Sequence, residues 1–249
     1  MIGRFFAILQ SAIRDQSCLI CDERLSGLNT CCQPCQEILG IRSIPLKRQL
    51  VGGYSLTRSQ FNQKRIMSAW TATTLNPRVK KYLYGYKFNN KKEYAECLSG
   101  ILIQAWQNGL AKTGELQSTL NRFQPNSVHV IVIPPHAGKK SKIEDYAKHF
   151  AYHFGYGYYP NALQWQRDVS SQHSLQERRE RFRNVQSSLV LQTAPNHPRP
   201  VLVLIIDDLL TTGATLLEAR RAIVEGAAIQ ANIEVMALTL SQVPMRSFR

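Results

Sequence analysis

Residues 201–218 read Val201, Leu202, Val203, Leu204, Ile205, Ile206, Asp207, Asp208, Leu209, Leu210, Thr211, Thr212, Gly213, Ala214, Thr215, Leu216, Leu217, Glu218. The first six are apolar and four of them are β-branched, which predicts a strand over 201–206 buried on both faces, as in a parallel sheet. Two carboxylates follow, then a small hydroxylic loop at 211–215. Leu216, Leu217, Ala219, Ala222 and Ile223 then recur at helical spacing, predicting a helix over 212–225. A loop of small residues at a helix start offers backbone N–H groups and hydroxyls to one anion, assisted by the helix dipole. The stretch therefore reads as a phosphate cradle with two acids beside it.

The rest of the chain supplies companions for that strand. Residues 128–133 form a second buried-strand candidate, followed by a loop at Pro134, Pro135, His136, Ala137 and Gly138. In open α/β sheets ligands gather at such carboxyl ends, so this loop should face the Asp207 strand. His136 is either a pyrophosphate contact or a solvent-exposed loop histidine. Further strands are expected at 50–56, 66–75, 162–166, 189–191 and 234–240, and helices at 92–110 and 142–155. Residues 111–127 look like a linker into the main sheet. The fold class is α/β, with expected units at 1–45, 46–125 and 126–249.

The chain has 249 residues and six cysteines, five of them between Cys18 and Cys35. Cys18/Cys21 and Cys32/Cys35 make two C-x-x-C pairs, a spacing that presents four thiolates to one tetrahedral Zn²⁺ in a reducing compartment. Cys31 can replace Cys32 on spacing alone. Such a closed site is structural and would hold a segment too small for its own core. Cys97 has no cysteine near it in sequence and reads as core filler.

Residues 2–13 have apolar residues at helical spacing, but Arg4, Gln10 and Ser11 interrupt them, well short of a membrane span or a secretion signal. A cytoplasmic protein is expected, with peripheral membrane contact left open. Lys and Arg total 31 against 17 acids, a formal charge of +14. Such an excess points to nucleic acid, anionic lipid or phosphorylated ligands. Residues 78–92 carry Arg78, Lys80, Lys81, Lys87, Lys91 and Lys92 without an acid. Tyr82, Tyr84, Tyr86 and Phe88 alternate among them. On an extended segment the four rings share one face and suit stacked single-stranded bases; on a helix they scatter and some enter the core. Residues 170–184, with Arg178, Arg179 and Arg181, read as a solvated helix or a basic lid.

The order of apolar strand, Asp-Asp, two residues and Thr-Thr-Gly-x-Thr resembles the PRPP-binding motif of the type I phosphoribosyltransferases. That resemblance implies that Asp207 and Asp208 take the ribose 2′ and 3′ hydroxyls and act at the reacting centre, and that Thr211, Thr212, Gly213, Ala214 and Thr215 hold the 5′-phosphate. Mg²⁺ would accompany PRPP, and Lys139, Lys140, Arg178, Arg179 and Arg181 would meet its pyrophosphate. Added to the four cysteines, the Tyr86-Lys87-Phe88 segment and the stretch from Gln172 and Leu175 to Arg181 and Asn184, the motif resembles the ComF/GntX family. This wider resemblance covers about residues 18–240. It implies a phosphoribosyltransferase fold with a zinc-finger-like N-terminus and a role in natural transformation, handling single-stranded DNA with competence or recombination proteins. Family members carry Arg-Gly-Phe-Asn-Gln after the first core strand, where this chain has residues 139–145, Lys-Lys-Ser-Lys-Ile-Glu-Asp. Lysine supplies charge there without the arginine fork. Two functions follow from the same residues: a binding module for ribose phosphate and single strands, or an active phosphoribosyltransferase of unknown acceptor.

Overall fold

The computed structural model describes residues 32, 33, 37, 47–52, 66–89, 93–135, 143–169, 178–193, 200–227 and 233–243. Cys18, Cys21, Cys31, Cys35, Lys91, Lys92, His136, Lys139 and Lys140 lie outside these residues, as does the expected helix over 2–13. Cys32 is described, and it is buried in an apolar cluster.

In chain order the elements are β1 (Lys47–Gly52), β2 (Ile66–Thr74), α1 (Pro77–Asn89), α2 (Glu93–Lys112), α3 (Gly114–Leu120), a 3₁₀ turn (Pro125–Ser127), β3 (Val128–Val132), α4 (Glu144–Phe154), β4 (Gly157–Tyr159), β5 (Leu163–Trp165), α5 (Arg178–Val185), β6 (Leu189–Leu191), β7 (Val201–Leu210), α6 (Ala214–Gly226) and β8 (Ile233–Gln242). Six strands form one sheet in the order β1-β2-β8-β7-β3-β4. Only β1 runs antiparallel to its neighbour; the other pairings are parallel. β5 and β6 form a separate antiparallel pair. The fold is thus α/β, with a mostly parallel sheet flanked by helices.

Strand alternation divides the core into two layers. Val130, Val132, Leu202, Leu204, Ile206, Met236 and Leu238 face the helices α1, α2 and α4. Ile131, Val203, Ile205, Val235 and Ala237 face α6 and the β5–β6 pair. The apolar runs of β3 and β7 are explained by this sandwiching, since both faces of each strand are covered. Trp106 of α2 and Phe150 of α4 are fully buried and meet edge to face at 5.9 Å between ring centroids, locking those two helices together.

The structure resolves one ambiguity, corrects two expectations and adds one strand. Residues 80–88 are helical, so the four aromatic rings do not share a face. Val79, Tyr82, Leu83 and Tyr86 follow the i, i+3, i+4, i+7 pattern and are buried, whereas Tyr84 and Phe88 are exposed. Pro77 opens this helix, and the Asn76 side chain accepts a bond from Val79 N–H at 2.9 Å. Gly85, which breaks the alternation, sits where a Cβ would come within 2.7 Å of the Tyr94 ring, so it allows α1 and α2 to approach. The supposed linker at 111–127 contains α3, anchored by buried Leu116. β7 does not stop at Ile206 but continues through both aspartates to Leu210. A strand absent from the sequence reading, β4, pairs with β3 after α4 closes on Gly155 in the left-handed conformation, φ 68°.

Candidate ribose-phosphate site

β3 leads through α4 to β4 on one side, and β7 leads through α6 to β8 on the other. The chain therefore reverses direction between β3 and β7, and a crevice opens at the carboxyl ends of these two strands. Val132 pairs with Ile206, which brings the start of the Pro134–Pro135 segment beside Asp207. That juxtaposition was expected from the sequence. Pro134 is held in place by Trp165, whose indole Nε1 donates to its carbonyl at 3.0 Å.

Both acids lie on the last turns of pleat of β7, with different partners. Asp207 Oδ1 accepts a bond from Asp208 N–H at 2.8 Å. Burial raises the Asp207 carboxyl from 3.8 to about 6, with the Lys87 ammonium pulling it the other way. Asp208 is buried, and its Oδ2 holds the Lys87 ammonium. Lys87 comes from the last turn of α1, where a cation also complements the helix dipole. Burial lowers the Lys87 pKa, and Asp207 opposes that shift.

The neighbours of this ion pair form a tyrosine layer. Tyr86 OH donates to Asp145 Oδ2 at 2.6 Å, joining the end of α1 to the first turn of α4. Tyr146 is wholly buried, and its hydroxyl has no hydrogen-bond partner among the described residues. Burial, then the field of Asp207, then that of Tyr86, raises its pKa. Six residues from three elements thus converge on one place: Tyr86, Lys87, Asp145, Tyr146, Asp207 and Asp208. Sequence reading found only the two acids as site residues and assigned Lys87 to DNA. For Lys87 the one local hint was the helical spacing from Val79 to Tyr86, which sets it beside the buried stripe; nothing local in sequence joins Asp145 and Tyr146 to the acids.

After the acids the chain turns sharply. Gly213 has φ 75°, and a Cβ there would lie 2.1 Å from Val51 Cγ1 of β1, so glycine is required by both backbone and space. The Thr212 hydroxyl accepts Ala214 N–H at 3.3 Å, and Leu217 N–H bonds to the Gly213 carbonyl at 3.0 Å. The N–H groups of Thr215 and Leu216 have no acceptor within the helix, because the first turn never supplies one. Thr211 is exposed, Thr212 and Thr215 are half-buried, and Gly213 and Ala214 are buried. The positive end of α6, 13 residues long, therefore faces the crevice beside the carboxylates.

Glu218 at the end of the motif stretch was not expected to matter. It is buried, and its Oε1 accepts Ser188 N–H at 2.8 Å, Leu189 N–H at 3.0 Å and Arg221 Nη2 at 2.6 Å. Arg221 also donates to the Leu189 carbonyl at 2.7 Å. Glu218 thereby ties the entry to β6 onto α6. Arg167 performs a similar role one step earlier, donating to the carbonyls of Asn184 and Gln186 at 2.8 and 3.0 Å. Arg179 is exposed and Arg181 half-buried on α5, which packs against α6; the Arg178 side chain is outside the described residues.

Beside Pro134 and Pro135 lies a cleft of about 930 Å³. Its lining includes Trp165, Asn161, Gln164, Gln166 and Gln192. Lys80 and Lys81 are exposed on α1, with Lys80 Nζ 5.3 Å from the centre of the Tyr84 ring and Tyr84 5.4 Å from Phe88. Among the described residues no helix is long and apolar enough to cross a membrane.

The residues around Asp208 do not fit a divalent cation bound directly to its carboxylate, because the Lys87 ammonium already occupies Oδ2 and would repel a second positive charge. Neither a scan against protein-family models nor a search of curated proteins finds a match to this chain.

Proposed function

We propose that the chain binds PRPP or a related ribose phosphate at the carboxyl end of β7, and that it does so as a ComF-like protein that handles single-stranded DNA during uptake. The observation that carries this reading is the placement of Asp207 and Asp208 next to the N-terminus of α6 at the strand-order reversal. Carboxylates accept hydrogen bonds from a vicinal diol, and the first-turn N–H groups of Thr215 and Leu216, which have no acceptor within the helix, suit a phosphate dianion. The type I phosphoribosyltransferase fold is part of the proposal, supported by the mostly parallel sheet and the strand-turn-helix at its centre. So is structural Zn²⁺ on Cys18, Cys21, Cys32 and Cys35.

Single-strand binding draws support from the +14 charge and from the exposed Lys80, Tyr84 and Phe88, one turn apart on α1. Rings with a cation beside them stack on bases of any sequence. Lys87 leaves this set, since its ammonium is spent on Asp208.

Phosphoribosyl transfer is the second reading, and the cleft beside Pro134 favours it. Its asparagine and glutamines are residue types that match the donors and acceptors of a heterocyclic acceptor, and Trp165 offers a ring to stack on. Asp207 and Asp208 would then stabilise positive charge at the anomeric carbon. Calorimetry with PRPP tests the binding site: the native chain should bind, and Asp207→Asn/Asp208→Asn should lose at least tenfold in affinity. An unaffected variant would remove the acids from the site. Pyrophosphate release with a panel of bases separates transfer from binding alone.

A further inference from the structure

We propose that Lys87 is the resident cation of the acid pair: its ammonium holds the position on Asp208 that a divalent ion would otherwise take, so that the site meets its ligand with a charge balance built into the chain. Three observations carry this. The contact is direct, between Lys87 Nζ and Asp208 Oδ2. It is partly shielded from water, because the Asp208 side chain is 9% exposed and that of Lys87 30%. And Lys87 is delivered by a separate element, α1, whose position is fixed by the buried Val79, Tyr82, Leu83 and Tyr86 and by the Tyr86–Asp145 bond.

Chemically, the arrangement sorts ligands. Two carboxylates without a counter-ion repel phosphate esters and attract divalent metals. With an ammonium between them and solvent, their net charge falls to minus one, a bare dication is disfavoured, and one carboxylate oxygen remains on each acid for a hydroxyl. A ribose phosphate is then bound through its diol and its 5′-phosphate, with no metal on the carboxylates. Any Mg²⁺ that travels with a pyrophosphate ester is carried by the ester.

The first test needs no organic ligand and so stands apart from the ribose-phosphate reading. Mn²⁺ binding to the full chain, prepared with Zn²⁺ present, is followed by electron paramagnetic resonance. Lys87→Met should bind Mn²⁺ at least tenfold more tightly than the native protein, and Lys87→Met/Asp208→Asn should lose that gain. Lys87→Arg keeps the positive charge and should behave like the native chain. If the native protein binds Mn²⁺ as tightly as Lys87→Met, or if the gain survives Asp208→Asn, the proposal is overturned. Circular dichroism melts verify that each variant folds.

The second test rests on the ribose-phosphate reading. Ribose 5-phosphate should bind the native chain within about threefold the same affinity without added Mg²⁺ and with it, both in chelator-free buffer that leaves bound Zn²⁺ in place, whereas Lys87→Met should weaken at least tenfold without Mg²⁺ and recover with it. Equal dependence on Mg²⁺ in both proteins overturns the role of Lys87. Absence of binding to the native chain in either buffer overturns the ribose-phosphate reading instead, and the Mn²⁺ result then decides on Lys87 alone.

Discussion

Asp207 carries a carboxyl that its surroundings push towards the neutral form. A carboxyl raised from 3.8 to about 6 is held more readily as the neutral acid in the folded chain than in the unfolded one. Its contribution to stability is therefore fully present below about pH 4 and is lost as pH rises towards 6, the reverse of an ion-paired carboxylate. The difference in urea midpoint between the native chain and Asp207→Asn should change across pH 4–6 and level off above it. Carbon-13 titration of the Asp207 carboxyl should give a midpoint near 6 in the native protein. In Lys87→Met the midpoint should move higher, because Lys87 is the group that pulls it down. An ordinary carboxylate midpoint in both proteins would contradict the buried geometry.

At the scale of elements, the joint between α6 and β6 is the most exposed to a single change. Glu218 accepts two backbone N–H groups and the Arg221 guanidinium while buried. Glu218→Ala strands both amides and takes from Arg221 one of its two carboxylates, leaving it Glu225, a loss on the order of 3 kcal/mol. For a chain of this length that lowers Tm by roughly 6 to 12 °C. Hydrogen exchange should also accelerate at Ser188 and Leu189 before the centre of β7 is affected. Equal acceleration throughout the sheet would show that the carboxylate has no local role. Ser187, with φ 54°, shows how tight this turn is, since a non-glycine residue is held there in the left-handed region.

For the whole molecule, charge and topology make separate demands. A chain of +14 that binds single strands through phosphate contacts should lose affinity steeply between about 50 and about 200 mM salt. A flat salt response would dismiss the electrostatic account without touching the fold. The sheet itself was readable in advance wherever a strand is covered on both faces, as β3 and β7 are, because burial forces an apolar run. It was unreadable at β4, whose residues are Gly157, Tyr158 and Tyr159, at the sheet edge and half-buried. α1 was ambiguous because its inward Tyr82 and Tyr86 and outward Tyr84 and Phe88 mimic a strand's alternation. Of the candidate site, the acids and the loop were legible because they are local in sequence. Lys87, Tyr86, Asp145 and Tyr146 were not, because only the packing of α1 and α4 on the sheet brings them to Asp207 and Asp208.

The close fit of Val51 over Gly213 has a consequence for the order in which the protein assembles. β1 reaches the loop only by pairing with β2, and β2 in turn joins the sheet only through β8, near the far end of the chain. The loop at 211–215 is thus shaped by a contact between distant parts of the sequence, the kind that forms late because loop closure must come first. Folding intermediates that lack the β2–β8 pairing have the motif but not its wedge. A ligand bound at the proposed phosphate loop would select the completed sheet over every partial one, and so serve as a reporter of chain maturation.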